Sequence, residues 1–191
     1  MAVGLTLAEI FVALVHHPVV DRNGRIIASA ITSLDLHDLA RSSRTYGVRA
    51  LYVVHPVPEQ RDFARSVIEH WRIGYGRSFD SRRVEALNLI EIVADLDAAV
   101  AAAEHVAGRR PEIVHTSARE QQGISFAAMR DRIAQQGAAP VLILLGTGFG
   151  LAPAARERAD LALEAIRGVG DYNHLSVRAA ASIILDRLRG R

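Results

Sequence analysis

Apolar residues fall along this chain as short continuous runs separated by stretches with helical spacing. Residues 9–16 (EIFVALVH), 50–54 (ALYVV), 112–115 (EIVH) and 141–145 (VLILL) have the length and continuity of buried strands. Residues 86–93 read as one more. Asn23-Gly24 lies between the apolar pairs of residues 19–27, a tight-turn signal that predicts a hairpin. Helices are predicted between these runs. Ser33 caps one over 34–46, which Gly47 ends. Pro58 opens one through Trp71, with Phe63, Val67, Ile68 and Trp71 at helical spacing. Asp95 caps one to Val106 that Gly108 closes, and Ser125 caps one to Gln136 that Gly137 closes. Residues 154–167 and 175–189 read as the last helices, and 74–83 (GYGRSFDSRR) as a loop.

Strands that alternate with helices of this length predict an α/β fold. Its sheet is mostly parallel, with helices on both faces. There is no internal repeat, low-complexity tract or shift of composition, so residues 1–191 are expected to form a single domain.

Composition narrows the picture. The chain has 191 residues, 50% hydrophobic and 23% charged, enough for one filled core. It has no cysteine, which removes disulfides, thiolate nucleophiles and cysteine-held zinc. No basic segment precedes the first apolar run, and no apolar stretch approaches the roughly 18 residues of a membrane span. A cytoplasmic protein without membrane attachment is the expectation. All 23 cationic side chains counted as lysine or arginine are arginine, on a net charge of only +2. The arginine fork matches phosphate and suits nucleic acid, but GC-rich coding gives the same bias.

The last fifty or so residues hold the candidate chemistry. The strand at 141–145 breaks into Gly146-Thr147-Gly148-Phe149-Gly150-Leu151, and downstream comes Tyr172-Asn173-His174-Leu175-Ser176 before an alanine-rich helix. A glycine loop at a strand's carboxyl end is where open α/β sheets hold ligands. The spacing G-x-G-x-G is one position short of the dinucleotide fingerprint and follows the last strand rather than the first. The eight histidines include no pair with metal-binding spacing and a carboxylate, so no metal is expected. His16 and His17, adjacent on a strand, face opposite ways. His37, His115 and His174 are candidates for polar lining of the crevice. Asp21 and Arg25 flank the Asn23-Gly24 turn, either as a solvated hairpin tip or as a cover over a substrate. Tyr75, Arg77, Phe79, Arg82 and Arg83 interleave aromatic and basic groups, which suits unpaired bases and phosphates or an ordinary basic loop.

These segments resemble the motifs of the SPOUT methyltransferases, RNA-modifying enzymes with a trefoil knot. Residues 176–185 (SVRAAASIIL) are similar to the third motif. Asp35, Arg41 and Gly47-Val48 carry the spacing of the first motif, with Asp35 standing where the family has Asn. Gly146 to Leu151 matches the second, one residue shorter and without its Glu. The similarity is closest to a small bacterial branch of unassigned substrate. It implies a C-terminal knot that holds S-adenosylmethionine among three loops. These map to His115, Thr116 and Ser117, to Leu145, Gly146, Thr147, Gly148 and Gly150, and to Val169, Tyr172, Asn173, His174, Leu175 and Ser176. It also implies that Arg41 sits near the methyl acceptor, with Asp35 as a proton acceptor or a cap and Arg44 one helical turn on. Asp21, Arg25, Arg77, Arg82 and Arg83 would meet the RNA, and the enzyme would act as a homodimer.

Three readings follow. The first is an S-adenosylmethionine-dependent methyltransferase acting on tRNA or rRNA. The second is an NAD(P)-binding oxidoreductase. The third is a non-catalytic cofactor- or RNA-binding module.

Overall fold

The computed structural model describes residues 7–74 and 76–190. Six parallel strands form the main sheet. They are β1 (Ile10–Val15), β4 (Ala50–Val54), β5 (Ile90–Val93), β6 (Glu112–His115), β7 (Val141–Gly146) and β8 (Leu161–Ala162). Their order across the sheet is β5-β4-β1-β7-β6-β8. The expected parallel α/β sheet with helices on both faces is therefore present. The strands β2 (Val19–Val20) and β3 (Ile26–Ile27) make the predicted hairpin apart from it.

β1 shows why continuous apolar runs were needed. Alternate residues serve opposite layers. Ile10, Val12 and Leu14 enter one core with α1 (Ser33–Thr45), α2 (Pro58–Arg72), α4 (Ser81–Leu87), α6 (Phe126–Ala134) and α8 (Val177–Arg189). Phe11, Ala13 and Val15 enter the other with α5 (Leu96–Ala107) and α7 (Pro153–Arg156). A strand covered on both faces has no polar side to alternate.

The caps explain the helix boundaries. Asp95 accepts from Ala98 N at 2.8 Å, and Gly108 closes α5 in the left-handed region at φ +72°. α1 is capped by Thr32 rather than Ser33. Thr32 Oγ1 accepts from Asp35 N and donates to Asp35 Oδ2 at 2.6 Å, so the capping hydroxyl also fixes the Asp35 carboxylate.

Three segments also depart from expectation. Residues 74–83 are not one loop: α3 (Gly76–Phe79) and the start of α4 lie there, the latter capped by Asp80. The strand expected over 86–93 begins only at Ile90, because Ala86 and Leu87 finish α4. The helix expected over 154–167 is the four-residue α7, and β8 follows it. Local propensity there yields to pairing. Asp160 N donates to Ile113 O at 2.8 Å and Leu163 N to His115 O at 3.0 Å, so this segment joins β6.

Residues 160–164 are also held from their other side. Ile124 N donates to Ala162 O at 2.8 Å, and Glu164 N donates to Ile124 O at 2.9 Å. The chain leaving β6 thus returns across the far side of a segment that comes almost forty residues later. Gly123 makes this approach possible: a Cβ there would lie 2.5 Å from Glu164 N.

Candidate functional site

In the sheet order, β1 has β4 and β5 on one side and β7, β6 and β8 on the other, so the connections diverge at β1 and β7. A crevice at the carboxyl ends of the strands is expected there. A cavity of about 1340 Å³ occupies that place. Its wall is made by residues at or just past the ends of three strands: His16 after β1, Thr116 to Arg119 after β6, and Gly146, which ends β7, with Thr147 to Gly150 after it. Ser29, Asp35, Glu164 and most of residues 166–177 complete it.

The glycine loop is folded by its neighbours. Thr147 O accepts from Gly150 N at 3.0 Å, which closes a turn. The hairpin props the loop: Phe149 N donates to Val20 O at 3.0 Å and Val20 N to Gly150 O at 2.9 Å. Gly148 adopts φ +60° with Val20 O only 3.1 Å from where a Cβ would stand. The loop leads to the short α7 instead of opening a long helix, so the dinucleotide arrangement does not form. Across the cavity, Asn173 Nδ2 donates to Ala118 O at 3.0 Å, tying the C-terminal loop to the β6 loop. Phe149 and His174 meet edge to face at 6.3 Å between ring centres.

A polar chain closes the floor. His16 is completely buried, and its Nδ1 lies 2.9 Å from Ser29 Oγ. Ser29 Oγ lies 2.5 Å from Thr147 Oγ1, which in turn donates to Val15 O at 3.1 Å. Behind it, His55 Nε2 reaches Ser29 O at 3.0 Å, and His55 Nδ1 accepts from Val57 N at 3.1 Å. Burial holds His16 at a pKa of about 4, against the partly opposing pull of Asp35. Burial likewise lowers His37, His55 and His115.

A histidine whose folded pKa is depressed binds protons more readily when unfolded. Its contribution is complete above its ordinary pKa of 6.5 and disappears as pH falls toward 4. For His16 alone this amounts to about 3 kcal/mol. Urea unfolding at about pH 7 and about pH 5 should give a lower midpoint in the acid, and an unchanged midpoint would contradict the buried neutral ring.

Asp35 is the second anchor. Arg178 Nη1, from the first turn of α8, donates to Asp35 Oδ1 at 2.9 Å, while its Nε lies 3.4 Å from Asp38 Oδ2. Asp35 is buried and lines the main cavity. Arg41 lines a smaller cavity of about 560 Å³ alongside Arg178, Ser42 and Ser182. Ser42 Oγ and Ser182 Oγ are 2.7 Å apart, which stitches α1 to α8.

The structure thus gathers most of the expected cofactor set around one cavity. Thr116, Ser117, Leu145, Gly146, Thr147, Gly148, Gly150, Tyr172, Asn173, His174, Leu175 and Ser176 all line it. His115 stands just behind, 3.9 Å from Glu120, and Val169 points fully into solvent. Arg44 does not join Arg41: it pairs with Glu85 on α4. Asp21 and Arg25 pair with each other at 2.8 Å across the hairpin tip. Arg82 is exposed, and Arg83 stacks on Trp71 at 4.5 Å and pairs with Asp80. Tyr75 and the side chain of Arg77 lie outside the described residues.

Sequence reading missed His16, Ser29 and His55. A signal was present: three apolar runs each end in histidine (ALVH, YVVH, EIVH), which puts an imidazole on the carboxyl edge of a parallel sheet. Among the described residues, no group of three or more acidic or histidine side chains is placed to hold a metal. No described helix is long and apolar enough to cross a membrane.

The donor set suits S-adenosylmethionine. Backbone turns and hydroxyls can read a neutral base and ribose, and Leu145 and Leu175 offer apolar contact.

Comparison with known proteins agrees with the geometry. The sequence model of a family described as "SAM-dependent RNA methyltransferase" matches residues 9–190. A tRNA (guanine-N(1)-)-methyltransferase of Oleidesulfovibrio alaskensis is 40% identical over 182 residues, covering 95% of this chain but 42% of that protein. The chain therefore spans about two fifths of that relative. An uncharacterized protein of Aquifex aeolicus is 39% identical over 184 residues, covering 96% of this chain and 89% of its own length. Among solved structures, a SpoU methyltransferase of Streptomyces viridochromogenes in complex with AdoMet superposes with a TM-score of 0.59 at 19% identity. The match covers 95% of this chain and 57% of that one.

Proposed function

The chain belongs to the SAM-dependent RNA methyltransferase family, and on that premise we propose that it methylates RNA from S-adenosylmethionine held in the cavity at the ends of β1, β6 and β7. The observation that carries this reading is the convergence of three loops, after β6, after β7 and before α8, on one cavity. When bound, the cofactor supplies an electrophilic methyl group on a positively charged sulfur. Thr116 and Ser117 and the Leu145–Gly150 loop hold its base and ribose, while Tyr172 to Ser176 close over it. Asp35 faces the same cavity from α1 and is held there by Arg178 of α8, which lines the smaller cavity beside it.

Arg41 binds an RNA phosphate beside the acceptor. Its side chain has no hydrogen-bond or ion-pair partner among the described residues, in contrast to Arg44. The matched residues act as one methyltransferase domain whose C-terminal part is knotted. Support for the knot comes from the clamping of 160–164 between β6 and Ile124. Asp21, Arg25, Arg82 and Arg83 belong to the RNA-facing surface, with Arg77 beside them in sequence, and the enzyme works as a cytoplasmic homodimer. The name carried by the Oleidesulfovibrio relative makes tRNA the first substrate to test. More than half of that relative lies outside the matched region, so its guanine specificity does not transfer with the match.

Calorimetric titration with S-adenosylmethionine, with NAD as control, tests the cofactor. Preferential binding of NAD would sink the reading. Transfer of labelled methyl groups to unfractionated tRNA, then rRNA, tests the acceptor. Arg41→Ala should keep cofactor affinity within about twofold and lose about 100-fold in transfer. Undiminished transfer would remove Arg41 from the site, and loss of cofactor binding would give it a different role.

A further inference from the structure

The floor of the cavity holds one group that the reading above leaves unused. Resting on that reading, we propose that His16 Nε2 takes the proton released by the methyl acceptor, with Ser29, Thr147 and His55 fixing the ring that receives it.

The first observation is an unpaired atom. His16 is fully buried at the end of β1, and its Nε2 is buried without a hydrogen-bond partner among the described residues. A buried polar atom left without a partner costs stability, so its presence calls for an explanation. The second is position. The residue lines the cavity together with Asp35 and the Gly146–Thr147 turn.

The third is an accounting of hydrogens. Val15 O can only accept, so Thr147 Oγ1 spends its hydrogen there. Ser29 Oγ must then donate to Thr147 Oγ1. With that hydrogen spent, Ser29 Oγ can only accept from His16, so Nδ1 carries the ring proton. Nε2 is left as a bare lone pair. His55 has the opposite tautomer by the same logic. Its Nδ1 accepts from Val57 N, so Nε2–H donates to Ser29 O and holds the serine in place. Burial keeps His16 uncharged at neutral pH, the state a proton acceptor needs.

In the transfer, an acceptor lone pair forms the new bond to the methyl carbon as the carbon–sulfur bond breaks. The bonding pair stays on sulfur, which becomes neutral. The acceptor's proton moves to His16 Nε2, so the positive charge ends on the imidazolium, where Asp35 favours it. In the free protein Nε2 is closed to solvent. Ser29 lies between the exposed Ala28 and Ala30, and the proposal requires this segment to shift when the acceptor enters.

Nitrogen-15 spectra of the full chain at neutral pH should show His16 uncharged with its proton on Nδ1. A proton resident on Nε2 overturns the proposal. His16→Asn keeps a polar group at the Nδ1 position and removes Nε2. It should melt close to the parent, bind S-adenosylmethionine within about threefold, and lose turnover at saturating RNA by about 100-fold or more. Turnover equal to the parent in the folded protein overturns the proposal. Parent protein that binds the cofactor yet methylates no RNA counts against RNA methylation itself, and the tautomer then decides the role of His16.

Discussion

Replacing Gly146 with valine is expected to cut S-adenosylmethionine affinity by at least about 100-fold. The reason is local. A Cβ at this position would stand 2.7 Å from Leu151 N and 2.9 Å from Leu151 Cγ. Neither neighbour is the free end of a flexible chain. Leu151 is buried against Val19 and Ala155 in the second core. The loop must therefore give, and this loop forms the β7 side of the cavity. Gly47→Ala is the matched control. Gly47 has φ +68° with nothing within 4 Å of a new Cβ, so that change costs about 1 kcal/mol in stability and leaves binding intact. Calorimetric titration of both variants is decisive. Gly146→Val with parental affinity would take the 145–150 loop out of the cofactor site.

Phe11→Ala is expected to lower folding stability by about 3–5 kcal/mol. Phe11 is fully buried in β1, the strand with neighbours on both sides, and stacks on Tyr52 with ring centres 6.2 Å apart. Its removal leaves a void that fixed strands cannot collapse to fill. Leu34, 60% exposed on α1, gives the contrast: Leu34→Ala should stay within about 0.5 kcal/mol. Denaturant unfolding measures both. A loss under about 1 kcal/mol for Phe11→Ala would mean that the second face of the sheet is not packed as described.

The parts of this fold legible in the sequence are those governed by short-range rules. β4 and β6 fall where their apolar runs predict, and α5 has the cap at Asp95 and the stop at Gly108 that its sequence announces. The misread segments are those where a distant partner decides. Nothing local in residues 154–167 shows that β6 needs a neighbour at 161–162. The Gly-Arg-Ser composition of 74–83 hides two short helices, one started by Asp80 and steadied by Arg83 on Trp71. At the site, the glycine loop and the C-terminal turn were readable because ligand loops carry their own composition. Arg44 shows the limit of helical spacing. One turn from Arg41 is near enough to share a face, yet Glu85 on α4 claims it. Ser29 could not be found at all from spacing. It reaches Thr147 only because the hairpin and the glycine loop fold together.

The clamp on residues 160–164 sets an order of events during synthesis. Until residue 162 has been made, β6 is an open sheet edge that invites pairing with other chains. The loop before α8 and the arginine that reaches Asp35 come later still. A chain that stops before α8 therefore lacks part of the cover of the first core as well as one wall of the cavity. Ligand capture thus waits for the loop before α8, and a chain stopped before residue 162 carries an unpaired edge as well.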